Sequence, residues 1–222
     1  MINFLNSSLG RKVVMAATGL FLCVFLIEHL YGNLLLYAND KGAAFVNYSH
    51  DAVHSIFIRI VEVILFAAII VHVAQAVVLT RKNAKARPVK YEVNKGNETS
   101  SWFSRNMGFT GSLILFFIVM HLYHFFLPYR ITGTIGQEGQ LNVAQAVSEG
   151  LQNPYYAALY FISVCLLSFH LNHGFQSAFQ SLGANNKKYT PILKMAGTGF
   201  SLLIFLGFGS FPVLFFFKIF TI

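Results

Sequence analysis

The sequence contains little charge: only 11% of its 222 residues are Asp, Glu, Lys or Arg, against roughly 25% in an average soluble domain. This scarcity excludes an ordinary soluble enzyme. Cysteine is also scarce, and Cys23 and Cys165 both lie in apolar runs, which excludes a disulfide framework and a thiolate metal site. What is abundant is apolar: 55% of the residues are hydrophobic and 24 are Phe. This composition indicates an integral membrane protein.

Five apolar stretches are long enough to cross a bilayer, which takes about 20 residues. They cover residues 13–37, 56–80, 107–128, 155–181 and 192–220. The first is too long for the apolar region of a signal peptide, and no Ala-x-Ala cleavage site leads from it into a soluble chain. We therefore expect an all-α membrane protein with a single domain over 1–222, folded as a bundle of five transmembrane helices. The mostly polar stretch 137–150 is expected to form a short surface helix.

The basic residues predict the orientation of the bundle. With the N-terminus in the cytoplasm, twelve of the sixteen fall on the inner side and four on the outer side. The four outer ones are Lys41, Arg59, Arg130 and Lys218. By the positive-inside rule the chain starts in the cytoplasm and ends outside. The net charge of +8 lies between apolar segments, so it points to a membrane surface rather than to nucleic acid, and the charged run 81–105 favours docking of a cytoplasmic partner.

Eight histidines are many for a chain that is mostly in lipid, because ionisable groups inside a bilayer are costly and usually functional. Six lie within the predicted helices, so that four of the five helices carry at least one. These six are His29, His72, His121, His124, His170 and His173. The other two, His50 and His54, lie in the first outer loop or at the mouth of helix two. A set of four helices that each supply a histidine indicates a ligand-binding interior.

Depth in the membrane sorts these histidines into two levels. At 1.5 Å per residue, His29 and His121 lie about 24 and 21 Å from the inner face, and His72 and His170 about 12 and 16 Å. Each level thus offers two imidazoles from different helices. Haem iron accepts two trans nitrogen ligands, and a porphyrin suits the apolar interior of a bundle, whereas zinc requires about four converging ligands. The pattern predicts two bis-histidine haems that form an electron path across the membrane.

Two further histidines keep the ligand assignment open at this point. His124 and His173 lie three residues after His121 and His170, on much the same helix faces. The competing interpretation is a set of buried structural or proton-relay histidines, as in a transporter. Transporters usually show internal repeats and helices broken by Gly or Pro. No repeat is apparent, and only Pro212 lies inside a predicted span, since Pro128 is the last residue of the third span.

Each of the first four predicted helices carries a short motif around its histidine. The motifs are Phe25–Leu30 (FLIEHL), Val71-His72 followed by Thr80–Asn83 (TRKN), Thr110-Gly111 with His121 eleven residues after the threonine, and Phe169-His170 followed by Gly174 and Ser181–Gly183. In this order they resemble the di-haem cytochrome b membrane-anchor subunit of succinate dehydrogenases and fumarate reductases, of the bacterial single-anchor, five-helix type. The resemblance covers essentially the whole chain in helix count, loop lengths and histidine placement.

The resemblance implies a ligand set. His29 and His121 would hold the outer of two haems b, and His72 and His170 the inner one. In one branch of the family the helix-four ligand directly precedes a glycine, which here would be His173. In the other branch it lies four residues before that glycine, which is His170, and the Phe-His pair and the 110–121 spacing resemble this second branch.

The resemblance also implies partners. A flavoprotein subunit would interconvert succinate and fumarate, and an iron–sulfur subunit would dock on the basic inner face. Electrons would then pass through both haems to or from menaquinone or another quinone, in the cytoplasmic membrane of a bacterium. Nothing in the chain resembles a dicarboxylate site. The alternative is the haem b subunit of a nitrate reductase or formate dehydrogenase. Only the way the histidine ligands are distributed among the helices disfavours it.

Charged residues suggest where quinone, protons and haem propionates would be bound. Glu62 lies at the level of the outer pair, where a carboxyl group should be protonated or paired, and Arg59 lies one turn away. We expect Glu62 and Arg59 to form a quinone and proton site. Propionates need cations, for which Arg11 and Arg105 are candidates at the inner haem, and Arg59 or Arg130 at the outer one.

Overall fold

The computed structural model describes residues 7–85, 105–136 and 140–222, and within these ranges the chain is helical with no strand. The α-helices are α1 (Ser8–Leu34), α2 (Ala43–His54), α3 (Ile56–Lys85), α4 (Met107–His121), α5 (Val143–Gln152), α6 (Pro154–Ser181) and α7 (Tyr189–Phe216). A short 3-10 turn, Leu35–Tyr37, extends α1, and a π-helical segment, Leu122–Ile131, extends α4.

Five of these helical stretches are long and apolar enough to span a membrane. They are Ser8–Tyr37, Ile56–Asn83, Met107–Ile131, Pro154–Ser181 and Tyr189–Phe216. The predicted all-α fold with five spanning helices is therefore confirmed for the described residues. Helix ends differ from the prediction: the last helix ends at Phe216 rather than at residue 220. The chain turns there because Lys218 adopts a left-handed conformation with φ of 54°.

The third span departs from the prediction at its outer end. It continues to Ile131 and includes Pro128, so the prediction that only Pro212 lies within a span is wrong. Proline has no N–H to donate and its ring crowds the preceding turn of an α-helix. The backbone widens here to the π form, in which the Thr132 amide donates to the Leu127 carbonyl five residues earlier, at 3.0 Å. A sequence pattern based on a period of 3.6 does not reveal such a segment.

Two short helices, α2 and α5, lie together at the end of the bundle that is predicted to face outward, which we call the outer end. The expected surface helix near 137–150 is α5, which starts with a capping box formed by Asn142 and Gln145. Helix α2 lies in a segment that was predicted only as a connecting loop. The two pack closely because Gly42, with φ of 81°, has no side chain: a Cβ there would lie 2.6 Å from that of Ala144.

The spanning helices form a closed ring of four, with the fifth outside it. Helix α1 packs against α3 and α6, α6 packs against α4, and α4 touches α3. Helix α7 packs mainly along α6 and also touches α1. All four helices of the ring carry histidines and α7 carries none. The helices that carry the six histidines of the spans are therefore neighbours in one ring.

Candidate functional site

The outer histidine pair comes from α1 and α4. The ring centroids of His29 and His121 lie 5.8 Å apart, with the rings nearly perpendicular at 82°. Phe25, one turn before His29, stacks on its ring at 5.2 Å, and Phe208 of α7 lies at 5.5 Å. The structure thus brings together the two residues that membrane depth pairs, in an aromatic surrounding.

The His121 ring is held by a hydroxyl group from α6. Its Nδ1 lies 3.2 Å from the Tyr160 hydroxyl oxygen. Metal-ligating histidines almost always use their second nitrogen in a hydrogen bond of this kind, which fixes the ring and leaves the other nitrogen free for the metal. Sequence reasoning missed Tyr160. The signal was present, because Tyr160 lies ten residues before His170 on a helix that runs inward, about 15 Å nearer the outer end.

The inner pair begins with His72 of α3, whose Nδ1 lies 3.1 Å from the Thr18 hydroxyl oxygen on α1. That hydroxyl also lies 2.9 Å from the Val14 carbonyl and 3.1 Å from the Met15 carbonyl, one turn earlier. The one hydroxyl proton has a backbone carbonyl to bond, which leaves the Thr18 oxygen free to accept a hydrogen bond from His72 Nδ1–H. The lone pair of this neutral imidazole is then on Nε2, the form that binds a metal.

The partner of His72 at this level is His170 of α6. The two rings are near enough that positive charge on both would be repulsive. The Nδ1 of His170 is buried and has no hydrogen-bond partner. Glycines make room for both imidazoles: a Cβ on Gly19 would lie 3.3 Å from His72 Cε1, and one on Gly111 would lie 3.6 Å from His170 Cε1.

Three helices independently give the same separation between the two levels. Each contributes one residue to the outer level and, ten positions away, one residue to the inner level. The pairs are Gly19 and His29 on α1, Gly111 and His121 on α4, and Tyr160 and His170 on α6. Ten residues of α-helix span about 15 Å. The site is therefore two histidine pairs stacked along the bundle rather than one cluster.

The two alternative ligands occupy different surroundings. His173 lies one turn after His170 on α6. His124 packs on the rings of Tyr156, at 4.2 Å between centroids, and Tyr160, at 6.4 Å. The Nε2 of His124 is buried without a hydrogen-bond partner.

The carboxylate of Glu62 binds two arginines. It lies 3.6 Å from Arg59 Nη1, one turn away on α3, so the expected pairing of these two residues is present. It also lies 3.4 Å from Arg130 Nε in the π-helical segment, a contact the sequence did not predict. The Arg130 side chain is only 16% exposed and its Nη2 is buried without a partner, whereas the Arg59 side chain is 47% exposed. Arg130 is therefore the arginine that links Glu62 of α3 to another spanning helix.

The remaining predicted residues lie at the ends of the bundle. Arg11 is in the first turn of α1, and Arg105 lies two residues before α4, both at the inner end. Most of the basic stretch 81–105 lies outside the described residues. His50 and His54 are exposed side chains of α2, and their ring centroids lie 4.2 Å apart with the rings tilted by 31°.

The paired imidazoles fit a metal that takes two trans ligands. Bonds between a metal and an imidazole nitrogen are about 2 Å long, so two trans imidazoles have ring centroids about 6 Å apart, and the outer pair lies at 5.8 Å. At the inner level, the two glycine-lined faces leave room for both imidazoles, while the Nδ1 of His170 lacks the hydrogen bond that holds the His72 and His121 rings. Among the described residues no three His, Cys, Asp or Glu side chains form a group that could hold a metal ion.

The fold and the site are those of a multi-pass membrane protein that holds two pairs of histidines, one above the other, between the two ends of its helix bundle. Residues 83–214, more than half of the chain, match the family model of the succinate dehydrogenase/fumarate reductase transmembrane subunit. The chain belongs to this family and is a membrane subunit of such a complex. No curated protein and no solved structure matches it. The matched range begins after His29 and His72 and contains His121 and His170.

Proposed function

We propose that this chain is the di-haem cytochrome b anchor of its complex, of the single-anchor five-helix type. It carries electrons across the membrane between an iron–sulfur subunit on the cytoplasmic face and menaquinone or another quinone. The observation that supports this most is the ten-residue register shared by three helices, which gives two imidazole pairs about 15 Å apart. That distance provides two relay points within one membrane thickness.

His29 and His121 are the proposed ligands of the outer haem, and His72 and His170 those of the inner one. Bound haem supplies an iron that accepts and releases single electrons, and two imidazole ligands leave it no open position for oxygen. The chain holds the ligands in place through Thr18 at the inner level and Tyr160 at the outer one.

The partners follow from the family and the predicted orientation. An iron–sulfur subunit would dock on the basic inner end, where Arg11 and Arg105 are also proposed to meet the inner haem propionates. A flavoprotein subunit would carry out the interconversion of succinate and fumarate. At the outer end, the Glu62 carboxylate between Arg59 and Arg130 is proposed to exchange protons with the quinone.

The test uses the intact complex, purified from membranes and assayed for succinate:quinone and quinol:fumarate activity. His72→Ala and His170→Ala should each abolish one b-type absorption component and both activities, because either change removes a residue that would hold the inner haem. His50→Ala, on the exposed outer helix, is the matched control and should change neither. Loss of a haem in His173→Ala but not in His170→Ala would move the helix-four ligand to His173. A colourless complex would contradict the proposal.

A further inference from the structure

Helix α2 carries two exposed histidines, His50 and His54, which lie four residues apart. Residues at this spacing are neighbours on one face of a helix. It is also the spacing at which two histidines of one helix bind a metal ion in the H-E-x-x-H motif. The ring centroids lie 4.2 Å apart, with the rings tilted by 31°. Neither histidine belongs to the two interior pairs, so the proposed function leaves this exposed pair without a role.

One nitrogen of each exposed ring already has a partner. His54 Nδ1 lies 2.8 Å from the His50 carbonyl oxygen, and because a carbonyl can only accept, this nitrogen carries the proton. His50 Nδ1 lies 3.5 Å from the carboxylate of Asp51. Partners of this kind fix the proton on Nδ1 and leave the lone pair on Nε2, as they do in metal-bound histidines. Both rings therefore offer Nε2 as a ligand atom.

The separation of the two rings fits two neighbouring ligands of one metal ion. With metal–nitrogen bonds of about 2 Å, ligands at a right angle have ring centroids about 4.5 Å apart, and tetrahedral ligands about 5.2 Å. The separation of 4.2 Å is closer to the right-angled arrangement. Right angles are typical of Cu²⁺ and Ni²⁺ sites, and Cu²⁺ binds such ligands more tightly than the other divalent metals of its row. Water would complete the coordination, because no group of three metal-binding side chains forms in the part of the chain that the structure describes.

We propose that His50 and His54 form a binding site for one Cu²⁺ ion on the surface of the outer end. The side chains of His50 and Asp51 are 66% and 86% exposed, so a hydrated ion reaches the site without entering the bundle. The Asp51 carboxylate orients the His50 ring and places negative charge beside the cation. The site is separate from the interior histidines and does not depend on bound haem.

The test is equilibrium dialysis of the intact complex, purified without a histidine tag, against Cu²⁺ buffered with glycine. The matched control combines Asn47→His with His50→Asn. This exchange keeps the number of histidines but moves one to an exposed position two turns before His54, about 10 Å away. The wild type should bind one Cu²⁺ per chain at least tenfold more tightly than this control. The interior histidines and the partner subunits are the same in both, so the difference in affinity reports on this pair alone.

Two further variants separate the roles of the residues. His54→Gln should weaken Cu²⁺ binding at least tenfold, because it removes one of the two ligands. Asp51→Asn should weaken it severalfold, because the partner of a metal-binding histidine supports the affinity. Pulsed EPR of bound Cu²⁺ should detect two imidazoles in the wild type and one in His54→Gln. Equal Cu²⁺ affinity in the wild type and the exchange control would overturn the inference, as would a wild-type spectrum with one imidazole or none.

Discussion

Thr18 is expected to hold His72 in its metal-binding form, so removing its hydroxyl group should weaken binding of the inner haem. In Thr18→Val the side chain keeps its shape, but the 3.1 Å contact with His72 Nδ1 is lost. The imidazole can then rotate, or shift its proton to Nε2, and either change competes with ligation. The hydrogen bonds of Thr18 to the Val14 and Met15 carbonyls disappear as well.

The size of the effect follows from the role of residues that, like Thr18, hydrogen-bond a metal-ligating histidine. Their mutation typically costs 10- to 100-fold in metal affinity, which corresponds to about 1.4–2.8 kcal/mol. The lost bonds to backbone carbonyls contribute little, because side-chain bonding of this kind slightly destabilises a helix rather than supporting it. The expected phenotype is therefore a haem defect in a folded protein.

The assay is haem retention by the purified complex during titration with apomyoglobin as a haem acceptor. Thr18→Val should release the inner haem at least tenfold more readily, and Thr18→Ser, which keeps the hydroxyl group, should behave like the wild type. Thr110→Val is the matched control, because the buried Thr110 hydroxyl bonds the Asn106 and Met107 carbonyls in the same way. Equal haem retention in Thr18→Val and Thr110→Val would refute the reasoning.

Three further predictions concern the outer end. Gly32→Ala should lower the melting temperature of the complex, because the added Cβ would lie 2.5 Å from Tyr48 Cε1 and overpacking costs about 1–3 kcal/mol. Gly174→Ala, which has open space around it, should leave the melting temperature unchanged. Equal melting temperatures in the two variants would contradict this. Burial and the hydrogen-bonded Glu28 raise the pKa of Tyr48 above its ordinary value of about 10. The stabilising contribution of Tyr48 is therefore fully present below pH 10 and is lost progressively as the pH rises above it. The melting temperature should then fall more steeply with pH in the wild type than in Tyr48→Phe. Parallel curves of melting temperature against pH would exclude the effect. Asn142→Ala removes the capping box of α5 and should lower the free energy of unfolding in denaturant by about 1 kcal/mol. An unchanged free energy of unfolding would contradict this prediction.

The sequence predicts the spans and the histidine levels because both depend on regular periodicity. Apolar length determines the five spans, and a fixed rise per residue places His29 with His121 and His72 with His170. These placements need only the helix rise and the direction of each span. The structure brings both pairs together, and their role as haem ligands stays a prediction.

Some contacts of the site could not be predicted from the sequence. They join distant segments of the chain or depend on local departures from regular helix. The pairing of Thr18 with His72, and of Tyr160 with His121, depends on which helices are neighbours in the ring. The link from Glu62 to Arg130 depends on the π-helical widening at Pro128. No short-range pattern contains this information.

The central claim is that the interior of this chain binds two haems, one at each histidine level. The most direct measurement is the pyridine haemochrome content of the purified complex, divided by the amount of this chain determined by quantitative amino-acid analysis. The account predicts two b-type haems per chain. A ratio of one or zero would contradict it.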